Sequence, residues 1–124
     1  MMHSGNVLAF VGDAVLSLQV RQYLVEQGIT KTKQLQETSV KFVSAMAQAD
    51  YMKTLLDGNA LSEEEMGIYK RGRNTKSASM AKNADVMSYR IATGFEALWG
   101  YLYMEGHHER LDTLWKEYIE TVEI

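Results

Sequence analysis

Val7-Leu8-Ala9-Phe10-Val11-Gly12-Asp13-Ala14-Val15-Leu16-Ser17-Leu18-Gln19-Val20 is the stretch on which the fold turns. Wound at about 100° per residue, it gathers Leu8, Val11, Val15, Leu18 and, further on, Val25 into one apolar stripe. Ala9, Leu16 and Val20 form a second stripe on roughly the opposite side. A helix that is apolar on both sides is a buried one. Asp13 falls inside the second stripe, so the spacing predicts a carboxylate among apolar neighbours, where an unpaired charge needs a cation or strong donors.

Working outward, this helix is expected from about Val7 to Gln27, stopped by Gly28. A short helical turn near Lys33 to Thr38 precedes a longer helix, Ser39 to Leu56, ending around Asp57-Gly58. Ser62 followed three residues later by Glu65 is a capping-box pattern and opens a helix to about Arg71, with Lys70 and Arg71 where the helix dipole favours cations. After a polar stretch, Gly72 to Asn83, a long helix spans about Asp85 to Glu105 and is closed by Gly106. A last one runs from His108 to about Val122. No period-two alternation is sustained, and proline, the strongest helix breaker, is absent. The fold class is all-α, a compact helical bundle.

The long helix repeats the oddity of the first. Glu96 shares a face with Tyr89, Ala92, Thr93, Trp99, Gly100 and Tyr103, while Ile91, Phe95, Leu98 and Leu102 occupy the other. Ala92 and Gly100 are small enough to let another helix approach the Glu96 face. Each acid read alone is a structural hydrogen-bonding or ion-pairing group. Read together, two acids on the two most apolar helices, with only Arg21 and Arg90 as distant basic residues, are what a hard cation such as Mg²⁺ requires.

With 124 residues, 46% hydrophobic and 23% charged, the chain is sized for a single domain over residues 1–124 and is not disordered as a whole. Cysteine is absent, which excludes disulfides, thiol nucleophiles and thiolate metal sites. The N-terminus lacks a signal-peptide pattern, and the apolar stretch Val86 to Met104 carries Arg90 and Glu96, so no membrane association and a cytoplasmic location are expected. The formal net charge of −3 excludes a uniformly basic coat, but the charge is uneven. Met66 to Ala84 contains no acid and five basic residues, Lys70, Arg71, Arg73, Lys76 and Lys82; the other 8 basic and 16 acidic residues leave −8 elsewhere. With Asn74, Ser77 and Ser79 as extra hydrogen-bonding groups, this segment reads either as a solvated loop or as a phosphate-binding surface whose affinity depends on salt. His107-His108-Glu109 lacks the i, i+4 spacing of a zinc site. Trp99, Tyr101, Tyr103, Trp115 and Tyr118 fall at helical spacings and read as core or dimer contacts.

Leu8-Ala9-Phe10-Val11-Gly12-Asp13-Ala14-Val15-Leu16 resembles the ribonuclease III signature L-E-F-L-G-D-A-V-L, and Thr93-Gly94-Phe95-Glu96-Ala97-Leu98-Trp99-Gly100 resembles its second acidic motif, D-x-x-E-A-L-I-G. Arg71-Gly72-Arg73-Asn74, Lys82-Asn83-Ala84-Asp85 and Tyr89 to Tyr103 are similar to Mini-ribonuclease III, the short bacterial branch without a double-stranded-RNA-binding domain. Ala9 and Thr93 stand where the larger enzymes carry two further acids, a reduction that the short branch shares, so only Asp13 and Glu96 carry over.

The resemblance implies a ribonuclease III-type endonuclease domain, a symmetric homodimer with a valley for double-stranded RNA, and one acidic site per subunit. It further implies Mg²⁺, with Mn²⁺ as a substitute, products with 5′-phosphate ends, and a 23S ribosomal RNA precursor as substrate. Whether a ribosomal protein helps to shape that substrate stays open. In this expectation Asp13 and Glu96 are the metal-binding catalytic pair, and Lys70, Arg71, Arg73, Asn74, Lys76 and Lys82 hold the RNA backbone. The rival expectation is a helical RNA-binding or protein-interaction module without catalysis, both acids being structural.

Overall fold

The computed structural model describes residues 3–75 and 86–122. Among these residues there are six helices and no strand: α1 Gly5–Glu26, α2 Thr32–Val43, α3 Ala45–Asp57, α4 Glu63–Arg73, α5 Val86–Met104 and α6 His108–Thr121. The all-α expectation holds. None of these helices is long and apolar enough to cross a membrane.

Serine hydroxyls start three of the helices. Ser4, Ser44 and Ser62 each accept a hydrogen bond from the backbone N–H three residues on, satisfying a donor that the first helical turn leaves open. At Ser62 the box is closed by Glu65, whose carboxylate accepts from the Ser62 N–H at 2.9 Å. Gly28 and Gly106, both at positive φ, end the chain direction of α1 and α5 as expected.

The boundary between α2 and α3 differs from the expectation. The break falls at Ser44, not between Thr38 and Ser39, because Ser44 adopts extended backbone and its hydroxyl takes the Ala47 N–H that a continuous helix would give to Val43. α4 also runs two residues past Arg71, to Arg73.

α5 is the central post. α1, α3 and α4 pack on it most extensively, and it is buried on nearly every side from Ile91 to Leu102. An aromatic cluster of Tyr51, Phe95, Trp99 and Tyr118 fills the space between α3, α5 and α6, with ring centroids 4.5–6.5 Å apart. Its polar tips are all bonded. Tyr51 Oη donates to the Leu114 carbonyl and Glu117, Trp99 Nε1 donates to Gln19 Oε1 at 2.7 Å, and Tyr118 Oη donates to the Phe42 carbonyl. Trp99, Tyr101, Trp115 and Tyr118 are core, whereas Tyr103 is exposed.

α1 corrects the two-stripe expectation. Its buried face is Leu8, Ala9, Gly12, Leu16, Val20 and Leu24, an i, i+4 ladder. Val7, Phe10, Leu18 and Val25 point outward instead, Phe10 at 82% exposure. Periodicity identifies which residues are apolar, and the fold covers only part of them.

Candidate active site

The site begins with two glycines. A Cβ on Gly12 would overlap the Glu96 carbonyl oxygen, and one on Gly100 would overlap that of Leu8, so α1 and α5 cross backbone on backbone. Gly100 provides the close approach expected of the Glu96 face, and its counterpart on α1 is Gly12. Asp13 follows Gly12, and the crossing brings its carboxyl within hydrogen-bonding reach of Glu96, 83 positions along the chain. The two acids meet in one site.

Their environments differ, and not as expected. Asp13, predicted among apolar neighbours, is exposed at the rim of the crossing, while Glu96 is half-buried. Burial pushes the Glu96 carboxyl upward. The hydrogen bond and repulsion from Asp13 push it further, Gln48 pulls it back, and the outcome is a pKa of about 8 instead of 4.5. Burial first, and the Glu96 charge second, also push the Tyr118 hydroxyl up.

Among the described residues the ion pairs are Lys33–Glu37, Arg110–Glu65 and Lys116–Asp112; no Lys, Arg or His pairs with Asp13 or Glu96. Nor is there any group of three or more His, Cys, Asp and Glu side chains able to share an ion. Two hard carboxylate donors, close together and without a protein counter-charge, fit Mg²⁺, which keeps several of its own waters and takes one or two carboxylates. They do not fit a closed zinc site. Ala9 is buried and brings no oxygen, and the Thr93 hydroxyl is committed to the Tyr89 carbonyl at 3.1 Å.

Sequence reasoning passed over one residue that touches this pair. Gln48, only 3% exposed, donates from Nε2 to Glu96 Oε2 at 3.4 Å. The signal was present: Gln48, Tyr51, Met52 and Leu55 follow the i, i+3, i+4, i+7 spacing of a buried helix face, and one of the four is polar.

The basic residues are divided. Those at the end of α4 are carried on a helix that packs on α5, where Gly72 meets Thr93, Gly94 and Ala97. Lys70 is exposed, as is Asn74, the C-cap of α4. The Arg73 guanidinium lies 5.6 Å from the Tyr69 ring centroid and donates to Asn74 Oδ1 at 3.2 Å, so its position is held. Arg71 is half-buried and donates through Nη2 to the His3 carbonyl, which ties the start of the chain to α4. Lys76 and Lys82 lie outside the described residues.

Comparison with known proteins identifies the family. Residues 6–107 match the family described as Ribonuclease III domain. The chain is similar to Mini-ribonuclease 3 of Streptococcus pneumoniae, 49% identical over 97% of this chain and 94% of that protein. It is also similar to Mini-ribonuclease 3 of Enterococcus faecalis, 51% identical over 90% and 84%. A crystal structure of a Fusobacterium nucleatum protein superposes with a TM-score of 0.86 at 31% identity, covering 95% of this chain and 93% of that one.

Proposed function

Belonging to the ribonuclease III family through its Mini-ribonuclease 3 group, the chain is an endoribonuclease of double-stranded RNA, and we propose that Asp13 and Glu96 are its catalytic pair and hold Mg²⁺. The observation that carries this assignment is the meeting of two carboxyls at the Gly12–Gly100 crossing with no cation paired to them among the described residues. Bound there, the ion supplies a water of lowered pKa and offsets charge on the scissile phosphate and the departing oxygen.

The protein contributes placement. Asp13, at the rim, is the carboxylate open to an approaching phosphodiester, and Glu96 holds the inner side, where water is partly excluded. Glu96 must give up its proton to act as a ligand, so protons compete with the ion at this position. Neither carboxylate forms a covalent bond to the RNA, and the 5′-phosphate stays with the downstream product. Mn²⁺, also a hard cation, substitutes.

Lys70, Arg73 and Asn74, at the end of the helix that packs on α5, bind backbone phosphates, with Arg71, Lys76 and Lys82 extending the same surface. Shape and phosphate contacts suffice for a duplex. The substrate is a structured precursor of 23S ribosomal RNA in the cytoplasm. A second copy of the chain completes the enzyme. Val7, Phe10, Leu18 and Val25 form an apolar line along one side of α1 that a symmetric partner would cover.

The test is cleavage of perfectly paired RNA with Mg²⁺ and with EDTA, using wild type and Asp13→Asn. Cutting only by wild type with Mg²⁺, with RNA binding kept in the variant, supports the assignment; cutting by Asp13→Asn at the wild-type rate refutes it. Binding without cutting by the wild type itself would instead favour the non-catalytic RNA-binding module.

A further inference from the structure

We propose that Gln48 is a positioning residue for hydrolysis: its amide, anchored on the main chain at the α2–α3 break, holds the Glu96 carboxylate in place without neutralising it. The inference rests on the two-carboxylate site proposed above.

The anchor is made by the break itself. Ser44 Oγ takes the Ala47 N–H at 3.1 Å, so the Val43 carbonyl loses its partner from the next helical turn. Gln48 Nε2 fills that place, donating to Val43 O at 3.1 Å, and reaches Glu96 Oε2 at 3.4 Å. The neighbouring carbonyl, that of Phe42, is taken in the same way by the Tyr118 hydroxyl. One helix junction therefore fixes two side chains, Gln48 and Tyr118, and the first of them reaches Glu96.

The orientation of the amide follows from its partners. Both nearby groups, a carbonyl and a carboxylate, are acceptors, so the NH₂ end faces them and a flipped amide would set oxygen against oxygen. This leaves Gln48 Oε1 buried with no hydrogen-bond partner among the described residues. An orphaned buried oxygen costs stability. An apolar side chain of the same length would remove that orphan, yet would orphan the Val43 carbonyl in its place and leave Glu96 free to turn. A Lys or Arg would hold Glu96 but neutralise it and displace the cation. A neutral donor is the side chain that orients a ligand and leaves its charge available, the arrangement by which outer partners of metal ligands act.

Gln48→Met keeps the length and removes the donor; Gln48→Asn keeps an amide one methylene too short. Each is compared with wild type by thermal unfolding with and without Mg²⁺, and by kinetics on paired RNA. In both variants kcat is expected to fall about 10–100-fold, as for other groups that orient metal ligands. KM for RNA should stay unchanged, and the Mg²⁺ concentration for half-maximal rate should rise. In the absence of RNA, the rise in Tm caused by Mg²⁺ should be less than half that of wild type, while the metal-free Tm of Gln48→Met stays close to wild type, since the orphaned Oε1 goes and an orphaned Val43 carbonyl takes its place.

A wild-type kcat and a wild-type Mg²⁺ response in either folded variant would overturn the proposal. So would a lowered metal-free Tm with an unchanged Mg²⁺ midpoint, since that is the mark of a purely structural side chain. Glu96→Gln, run in parallel, separates the two levels. If it cleaves normally, the carboxylate site itself fails; if it is inactive beside a normal Gln48→Met, only the role of Gln48 falls.

Discussion

Glu96→Gln should make the metal-free protein more stable while removing its activity. The folded protein raises the Glu96 carboxyl from 4.5 to about 8 through burial and then through Asp13. At about 1.4 kcal/mol per unit, ionising this group in the folded state costs up to about 5 kcal/mol. Solvent reaching the exposed Asp13 and the open edge of Glu96 screens part of that. We therefore expect a gain of about 2 kcal/mol from the neutral amide, or roughly 8 °C in Tm for a domain of this size.

The sign follows from proton binding. A carboxyl whose folded pKa lies above its unfolded one makes the folded state bind more protons between 4.5 and about 8. Wild-type stability must therefore fall as pH rises through that window. Thermal unfolding followed by circular dichroism in EDTA should show the variant well above wild type at pH 9, with the gap nearly closed at pH 5. Adding Mg²⁺ at pH 9 should raise the wild-type Tm and leave that of the variant almost unchanged. A variant that melts at or below wild type at pH 9 in EDTA would refute the raised Glu96 pKa and the stability cost reasoned from it.

Gly12→Ala or Gly100→Ala should cost about 3 kcal/mol or more in chemical denaturation, because the added methyl meets a backbone carbonyl that cannot turn away. Arg110→Met removes the two 2.9 Å hydrogen bonds to buried Glu65 and should cost about 2–3 kcal/mol at neutral pH. Burial raises the Glu65 pKa, but the Arg110 and Ser62 bonds outweigh it and hold the carboxyl below 4.5. The penalty of Arg110→Met should thus shrink as acid protonates Glu65, which denaturation midpoints at pH 7 and pH 3 would reveal. Lys70→Ala should weaken RNA binding and lower its salt slope by about one unit without changing Tm, whereas Arg71→Ala should lower Tm as well, because Arg71 holds the His3 carbonyl. Phe10→Glu should shift the protein to monomer in sedimentation; an unchanged dimer would reject the α1 face as the interface.

Much of this was readable from the residues, for identifiable reasons. The Ser62–Glu65 box and the glycine stops are local chemistry, decided within a few residues, and appear where expected. Asp13 and Glu96 stood out because each interrupts an apolar helix, and Gly100 announced the close crossing that joins them. The outward turn of Phe10 and Leu18 was not readable, because periodicity records which residues are apolar and not what covers them. The break at Ser44 was misplaced since one serine hydroxyl marks it, and Ser39 offers the same signal five residues earlier. Gln48 was missed for a related reason. Its importance lies in a contact with Glu96, 48 positions away, and only its seat on an apolar face hinted at it.

Where α1 and α5 cross, two main chains touch with no side chain between them. Such a joint has no rotamers to sample, so warming that loosens the surrounding aromatic packing leaves intact the spacing of the two main chains that carry the acids. Loss of cutting on heating should then be abrupt, coinciding with the separation of the two helices, with no regime of gradually softened catalysis beforehand.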